Sequence, residues 1–163
     1  MAAKILVVDD EIQFVEMMAN RLKTKGYEVM TAASGVEALS LVRQSEPDLL
    51  ILDIRLGDES GLELLRHLLE IRPSLCVILN SGYSTYRDDF SSWLADAYLL
   101  KSSDTGTLRE KVRELLTSSG VGNLARALRE PGRGVLQARG LAHGSQQHSL
   151  LRDHSALTLR VLS

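Results

Sequence analysis

The sequence predicts an α/β fold: a doubly wound, five-stranded parallel sheet covered by helices on both faces. Two observations support this prediction. Along residues 1–117, short segments rich in Val, Ile and Leu alternate with longer segments of helical spacing, and such alternation is typical of βαβ units. The strand-like segments are also apolar at nearly every position, which indicates strands buried on both faces. In sheets of this kind, ligands bind beyond the carboxyl ends of the strands.

Five segments have the composition of strands, because they are short and dominated by β-branched and large aliphatic residues. Each of them is followed by polar residues or a turn. The predicted strands are KILVV at 4–8, YEVMTA at 27–32, DLLILD at 48–53, LCVILN at 75–80 and AYLLK at 97–101.

The segments between these strands place apolar residues three and four positions apart, as the buried face of a helix requires. Ser34, followed by Glu37 three residues later, has the pattern of a helix N-cap, and Asp104 is the expected cap of the last helix. The segment 84–96 completes the alternation, although its Ser, Thr and Asp content favours turns. The predicted helices span residues 11–25, 34–45, 60–71, 84–96 and 104–117.

Composition limits the class of protein. The chain has 163 residues, of which 44% are apolar, and this size suits one domain with a buried core. No apolar run approaches the roughly 18 residues of a membrane helix, and the apolar stretch in MAAKILVVDDE is too short for a signal peptide. We therefore expect a cytoplasmic protein. Cys76 is the single cysteine, so we expect neither a disulfide framework nor a thiolate metal site.

Charge divides the chain into two parts. Residues 1–117 contain 13 Lys and Arg against 19 Asp and Glu, whereas residues 118–163 contain six Arg, no Lys and two acidic residues. The second part has no aromatic residue and is short for an independent core. We expect a domain at 1–117 and, at 118–163, a basic tail that is flexible or partly helical, with no recognisable output domain. An out-of-frame or cloning-derived extension is the alternative, and arginines without an ordered scaffold do not favour nucleic-acid binding.

Acidic residues at the strand ends define a candidate site. Asp9 and Asp10 follow the first strand and Asp53 ends the third. Three carboxylates at one sheet edge repel each other, and a hard divalent cation such as Mg²⁺ would stabilise them. Lys101, at the end of the fifth strand, can hold a phosphoryl oxygen as a compact positive charge. The pattern predicts an edge that accepts a phosphoryl group on an aspartate, giving an acyl phosphate.

Four motifs, in this order and spacing, resemble the receiver domains of bacterial two-component response regulators. They are ILVVDDE, DLLILDIRLGDESGLELL, VILNSGYS and AYLLKSS, and the resemblance extends over about residues 3–117. It implies a flavodoxin-like (βα)5 fold with strand order 2-1-3-4-5. It also implies Mg²⁺-dependent transfer of a phosphoryl group from a sensor histidine kinase or a histidine phosphotransfer protein, catalysed by the chain itself, followed by autodephosphorylation.

The resemblance further implies roles for single residues. Asp53 matches the phosphoryl acceptor, Ser81 the hydroxyl that bonds the phosphoryl group, and Lys101 the lysine of the family's site. Tyr98 matches an aromatic switch position. On phosphorylation, Ser81 would move toward the phosphoryl group and Tyr98 would follow into the vacated space. The surface affected is the face formed by residues 84–117, through which a homodimer would also form.

For the metal, the resemblance implies a set of oxygen ligands. Asp10 and Asp53 match direct carboxylate ligands of Mg²⁺, and Arg55 matches a ligand that acts through its backbone carbonyl. Asp9 matches an acidic neighbour that acts largely through metal-bound water.

Two positions depart from the family's pattern. Ser102 follows Lys101 where receivers usually have proline after a cis peptide bond, and such a bond before a residue other than proline costs about 3–4 kcal/mol. Either this strain is tolerated or the loop is rearranged. Gly57 stands where a proline is common, four residues after the acceptor, and we expect it to loosen the loop that follows Asp53.

Other function classes fit parts of the pattern. A degenerate receiver would bind partners independently of phosphorylation; Asp10, Asp53 and Lys101 argue against it, whereas Ser102 leaves room for it. A flavin carrier of the same architecture would need a phosphate-binding loop after the first strand, where DDE at 9–11 repels phosphate. An aspartate-dependent phosphatase would need a second aspartate two residues after its nucleophile, and here the aspartates are adjacent.

Overall fold

Five parallel strands form the central sheet in the computed structural model, which describes residues 2–86, 94–102 and 104–118. In chain order the strands are β1 (Lys4–Val8), β2 (Glu28–Ala32), β3 (Leu49–Leu52), β4 (Arg55–Leu56), β5 (Glu59–Ser60), β6 (Cys76–Ser81) and β7 (Ala97–Leu100). The short strands β4 and β5 pair with each other as a separate antiparallel hairpin. The other five form the sheet in the order β2-β1-β3-β6-β7, which confirms the predicted order 2-1-3-4-5 once β6 and β7 are counted as its fourth and fifth strands.

Helices connect the strands of the sheet. Within the described residues these are α1 (Ile12–Lys23), α2 (Gly35–Ser45), α3 (Gly61–Ile71) and α4 (Gly106–Thr117), with a 3-10 turn at Ser84–Tyr86. The predicted helix at 84–96 falls mainly on residues 87–93, which lie outside the described part of the chain. None of the helices described is both long enough and apolar enough to cross a membrane.

The structure confirms the predicted helix cap at Ser34 but not the one at Asp104. The Ser34 hydroxyl accepts a hydrogen bond from the Glu37 N–H at 3.3 Å, as predicted. The prediction that Asp104 caps the last helix is wrong, because Thr105 occupies the N-cap position of α4. The Asp104 carboxylate instead accepts the Gly106 N–H from outside the helix, at 2.8 Å, and so satisfies one of the free donors of the first turn.

Apolar residues cover both faces of the sheet, as a doubly wound fold requires. In β1, Leu6 and Val8 belong to one buried cluster and Ile5 and Val7 to the other, because successive side chains of a strand point to opposite faces. The first cluster includes residues of α2 and α3, namely Val42, Leu65 and Leu68. The second includes residues of α1 and α4, namely Met18, Leu22, Leu108 and Val112.

The register of the strands brings the predicted site residues to one edge. Val8 of β1 is paired with Leu52 of β3, so Asp9 and Asp53, the next residue in each case, lie next to each other. β6 and β7 end at the same edge, because both run parallel to β3. The other predicted residues at this edge are Asp10, Ser81 and Lys101.

Candidate functional site

Asp53 lies at the centre of the carboxyl edge of the sheet. Its N–H donates to the Val8 carbonyl oxygen at 3.0 Å, which continues the pairing of β1 with β3 by one residue. The side chain is largely shielded, since the residue is only 7% exposed. Two donors contact its carboxylate: the Lys101 Nζ lies 2.9 Å from Oδ2, and the Arg55 N–H lies 3.2 Å from Oδ1. The carboxylate is therefore held on a rigid strand end.

Gly61, at the start of α3, permits the backbone to pack closely behind Asp53. Its N–H donates to the Ile54 carbonyl oxygen at 2.6 Å. A Cβ atom at this position would lie 2.1 Å from the Asp53 carbonyl oxygen and 2.8 Å from the Ile54 Cα, so only glycine fits without a backbone shift. Sequence reasoning missed this residue; the available signal was a glycine directly after the cap Ser60, where a helix would favour almost any other residue.

Asp9 and Asp10 present their carboxylates in different ways. Asp9 is only 2% exposed; its Oδ2 lies 2.8 Å from the Lys101 Nζ and its Oδ1 accepts the Glu11 N–H at 2.9 Å. Asp10 is exposed, and its Oδ2 accepts the Gly57 N–H at 3.0 Å. One carboxylate is thus buried against a cation, and the other reaches the edge from the solvent side.

The three aspartates form a ligand set that fits a hard divalent cation. Carboxylate oxygens of Asp9, Asp10 and Asp53 all lie within 4.8 Å of one another. The set contains only oxygen donors, the type that Mg²⁺ and Ca²⁺ prefer. The structure therefore brings together the three acidic residues that the sequence placed in the metal site. Arg55, the fourth predicted ligand, begins the hairpin directly after them, and its guanidinium carbon lies 5.2 Å from the centroid of the Tyr83 ring.

Lys101 supplies the positive charge at this edge. Besides Asp9 and Asp53, it contacts the Glu11 carboxylate at 3.5 Å, and its Nζ lies 5.0 Å from the centroid of the Phe14 ring. Burial by itself would lower the pKa of Lys101, but the hydrogen bonds to Asp9 and Asp53 outweigh it and raise that pKa. Burial raises the pKa of Asp9, an effect that the hydrogen bond from Lys101 opposes. The ammonium group is charged throughout the neutral range.

The peptide bond between Lys101 and Ser102 is trans, since no cis bond occurs in the described residues. Lys101 nevertheless reaches both aspartates, and its own N–H donates to the Ser81 carbonyl oxygen at 2.7 Å. Of the two alternatives for this departure from the family's pattern, the strained cis bond is therefore absent. Serine after the lysine does not prevent the contact of Lys101 with Asp53.

Ser81 and Tyr98 are linked through the backbone of Tyr83, a residue that sequence reasoning did not single out. The fully buried Ser81 accepts the Tyr83 N–H on its hydroxyl oxygen at 3.2 Å. The Tyr98 hydroxyl donates to the Tyr83 carbonyl oxygen. Tyr83 itself is half exposed and lines a groove of about 530 Å³ over the acidic cluster, together with Asp10, Glu11, Asp53, Arg55, Gly57, Gly82 and Lys101.

Gly57 lies in the turn of a hairpin that follows Asp53, where the sequence predicted a loosened loop. β4 and β5 pair Arg55 with Ser60 and Leu56 with Glu59, so Gly57 is the first residue of a two-residue turn. Its φ of 58° is a value that proline cannot adopt and that glycine adopts without steric cost. The segment is therefore an ordered hairpin.

Comparison with known proteins agrees with this geometry. The family model of the response regulator receiver domain matches residues 5–113. The probable transcriptional regulatory protein TcrX of Mycobacterium tuberculosis is 34% identical over 119 residues, which are 72% of this chain and 51% of TcrX. The alkaline phosphatase synthesis transcriptional regulatory protein PhoP of Bacillus subtilis is 31% identical over 73% of this chain and 50% of its own. The chain thus spans about half the length of these curated relatives.

Solved structures match the domain more completely. Response regulator TrrA of Thermotoga maritima, crystallised with Mg²⁺ and BeF, is 42% identical with a TM-score of 0.66, over 69% of this chain and 98% of TrrA. TrrA in complex with the histidine kinase ThkA is 43% identical with a TM-score of 0.66, over 71% of this chain and 99% of TrrA. A CheY-like receiver domain from Methanospirillum hungatei is 33% identical with a TM-score of 0.67, over 71% of this chain and 94% of its own. With its strand order, its acidic cluster and its lysine all in place, the chain belongs to the family of response regulator receiver domains.

Proposed function

We propose that the chain receives a phosphoryl group on Asp53 from a histidine kinase or a histidine phosphotransfer protein, as the receiver of a two-component system in the cytoplasm. One observation carries the proposal. A shielded carboxylate at a strand end is contacted by a lysine ammonium at 2.9 Å and lies beside two further carboxylates. This arrangement has no evident packing role, because it gathers like charges at the edge of an apolar core. The kinase complex of TrrA supports the class of donor.

The proposed step is a displacement at phosphorus. A carboxylate oxygen of Asp53 attacks the phosphorus of a phosphohistidine, and the new P–O bond replaces the P–N bond. The electron pair of the P–N bond returns to the imidazole nitrogen, which takes up a proton. Lys101 offsets charge on the transferred oxygens. Ser81 accepts the Tyr83 N–H and keeps its own O–H proton, which it can donate to a phosphoryl oxygen.

The residues fit a bound Mg²⁺. Asp10 and Asp53 would hold it through carboxylate oxygens and Arg55 through its carbonyl oxygen, with Asp9 acting through water. When bound, the cation supplies charge neutralisation for the phosphoryl oxygens. The TrrA structure with Mg²⁺ and BeF supports this assignment.

Signal output is proposed to begin at Tyr83. The Ser81 hydroxyl and the Tyr98 hydroxyl contact the N–H and the carbonyl of this one residue. Movement of Ser81 toward a phosphoryl group would release the Tyr83 N–H and so alter the partner of Tyr98. The equilibrium between two conformations of the face formed by 84–117 would shift accordingly. Partner proteins or a second copy of the chain would bind the conformation that phosphorylation favours. Residues 118–163 are proposed to lie outside the receiver.

The intact mass of the protein tests the proposal. The wild type and Asp53→Asn are incubated with Mg²⁺ and a small acyl phosphate, which supplies the phosphoryl group without a kinase. We expect the wild type alone to gain one phosphoryl group. If neither protein gains it while calorimetry shows Mg²⁺ bound to the wild type, the chain is better explained as a binding module that works without phosphorylation.

A further inference from the structure

The turn of the hairpin formed by β4 and β5 contacts the acidic cluster. The Gly57 N–H, the first donor of the turn, lies 3.0 Å from the Asp10 Oδ2. Asp10 is the exposed member of the cluster, so its side chain has more conformational freedom than those of Asp9 and Asp53. A backbone donor from an ordered turn restricts that freedom directly.

We propose that Gly57 is a positioning residue for the metal site: its N–H holds one oxygen of Asp10 and so restricts the carboxylate that would bind the cation. This inference rests on the proposed role of Asp10 as a Mg²⁺ ligand. Hydrogen bonds to metal-binding carboxylates fix their orientation, and removal of such a partner typically weakens metal affinity about 10–100-fold. The restriction also lowers the entropy that Asp10 loses when the cation binds.

The hairpin is itself held in place, so the donor does not move freely with the turn. The Glu59 carboxylate accepts the Gly35 N–H at 3.1 Å, which ties β5 to the start of α2. At the base of the hairpin, Gly61 follows β5 directly, and its N–H donates to the Ile54 carbonyl oxygen at 2.6 Å. The position of the Gly57 N–H is therefore set by the neighbouring elements.

Glycine at this position has a chemical consequence that proline would not allow. Proline has no N–H and its φ is fixed near −65°, whereas Gly57 has a φ of 58° and donates to Asp10. The departure from the family's pattern thus replaces a stiff residue with a hydrogen-bond donor aimed at the metal site.

Two variants compare the turn with and without its donor. Gly57→Ala keeps the N–H at a strained positive φ, whereas Gly57→Pro removes the N–H and also excludes the positive φ. The dissociation constant for Mg²⁺ is measured by titration calorimetry on the full chain. We expect Gly57→Pro to bind Mg²⁺ about tenfold more weakly, or worse, than Gly57→Ala. Equal constants for the two variants, with Mg²⁺ bound to the wild type, would overturn the inference and leave the proposed function intact.

A second measurement applies if Gly57→Pro does not fold. The hydrogen exchange rate of the Gly57 amide is measured by NMR in metal-free wild type and in Asp10→Ala. Faster exchange in Asp10→Ala supports the hydrogen bond, and an unchanged rate refutes it. A wild type that binds no Mg²⁺ would refute the metal site itself, and the positioning role with it.

Discussion

At the scale of the residue, Lys101 has the largest electrostatic role in the site. Its ammonium lies within 2.9 Å of carboxylate oxygens of both Asp9 and Asp53. These two side chains are almost fully shielded, and a shielded carboxylate without a partner is costly. The lysine is therefore expected to stabilise the metal-free fold as well as to serve the reaction.

Lys101→Met should lower the free energy of unfolding by about 1–3 kcal/mol at neutral pH, because it leaves two shielded carboxylates without their shared cation. Lys111→Met is the matched control, since Lys111 pairs with the exposed Glu114 at 2.7 Å. An exposed pair contributes less than about 1 kcal/mol. Urea unfolding without metal measures both, and equal losses would contradict the stabilising role of Lys101.

The loss caused by Lys101→Met should also shrink as pH falls. Burial raises the pKa of Asp9 above its usual 3.8, and the hydrogen bond from Lys101 opposes that rise. Without the lysine, the folded protein binds a proton at Asp9 more readily than the wild type does, so the variant recovers stability toward acid pH. Unfolding in neutral and mildly acidic buffers measures this trend. A difference between the two proteins that does not vary with pH would show that Asp9 is not involved.

At the scale of the element, the junction between β3, the hairpin and α3 controls where the acceptor lies. The Asp53 carbonyl oxygen packs against Gly61 so closely that a Cβ there would lie 2.1 Å away. The atoms in the way belong to backbone, which cannot rotate aside as a side chain does. The backbone at the end of β3, which carries Asp53, and the start of helix α3 are therefore packed tightly against each other behind the site.

Gly61→Ala should destabilise the fold by about 1–3 kcal/mol or more through overpacking. Gly82→Ala is the control, because a Cβ at Gly82 has open space around it. Thermal and urea unfolding of both variants test the expectation. Equal stabilities would mean that α3 can shift away from Asp53 at little cost.

The sequence predicted the larger elements well and missed the small ones, for physical reasons. Continuous apolar runs located all five sheet strands to within one residue at each end. The hairpin of β4 and β5 was not predicted, because two-residue strands contain no periodicity. The cap at Asp104 was misassigned by one residue: Thr105 takes the N-cap position, and its hydroxyl accepts a hydrogen bond from the distant Arg21 and makes no cap hydrogen bond.

In the candidate site, too, the residues at the ends of the sheet strands were predicted, and the contacts made by the hairpin and by α3 were missed. Asp9, Asp10, Asp53 and Lys101 were predicted to meet, because parallel strands end at a common edge. The contacts of Gly57 with Asp10 and of Gly61 with Asp53 depend on how a turn and a helix return to that edge. No local pattern specifies such a return, so these contacts appear only in the structure.

At the scale of the whole molecule, the receiver is built from the first part of the chain. Both buried clusters that cover the described sheet consist of residues between 5 and 116. The family model ends at residue 113. We therefore expect the sheet, its helices and the acidic cluster to form one folding unit.

A chain that ends after Ser118 should unfold at the same urea concentration as the full chain and should accept the phosphoryl group equally well. A chain that ends after Asp104 is the control, since it removes Leu108 and Val112 from the core and should not fold cooperatively. Circular dichroism during urea unfolding measures the stability of each chain, and intact mass measures the gain of a phosphoryl group. Loss of stability in the longer truncated chain would assign part of the core to residues 119–163.

Chemical mapping shows whether Asp53 itself carries the phosphoryl group. The protein is treated with Mg²⁺ and a small acyl phosphate, and borohydride then reduces the aspartyl phosphate to homoserine before peptide sequencing by mass spectrometry. We predict homoserine at position 53 in the wild type and at no aspartate of Asp53→Asn. Homoserine at position 9 or 10 instead, or unmodified Asp53 in protein that has gained a phosphoryl group, would show that Asp53 is not the acceptor.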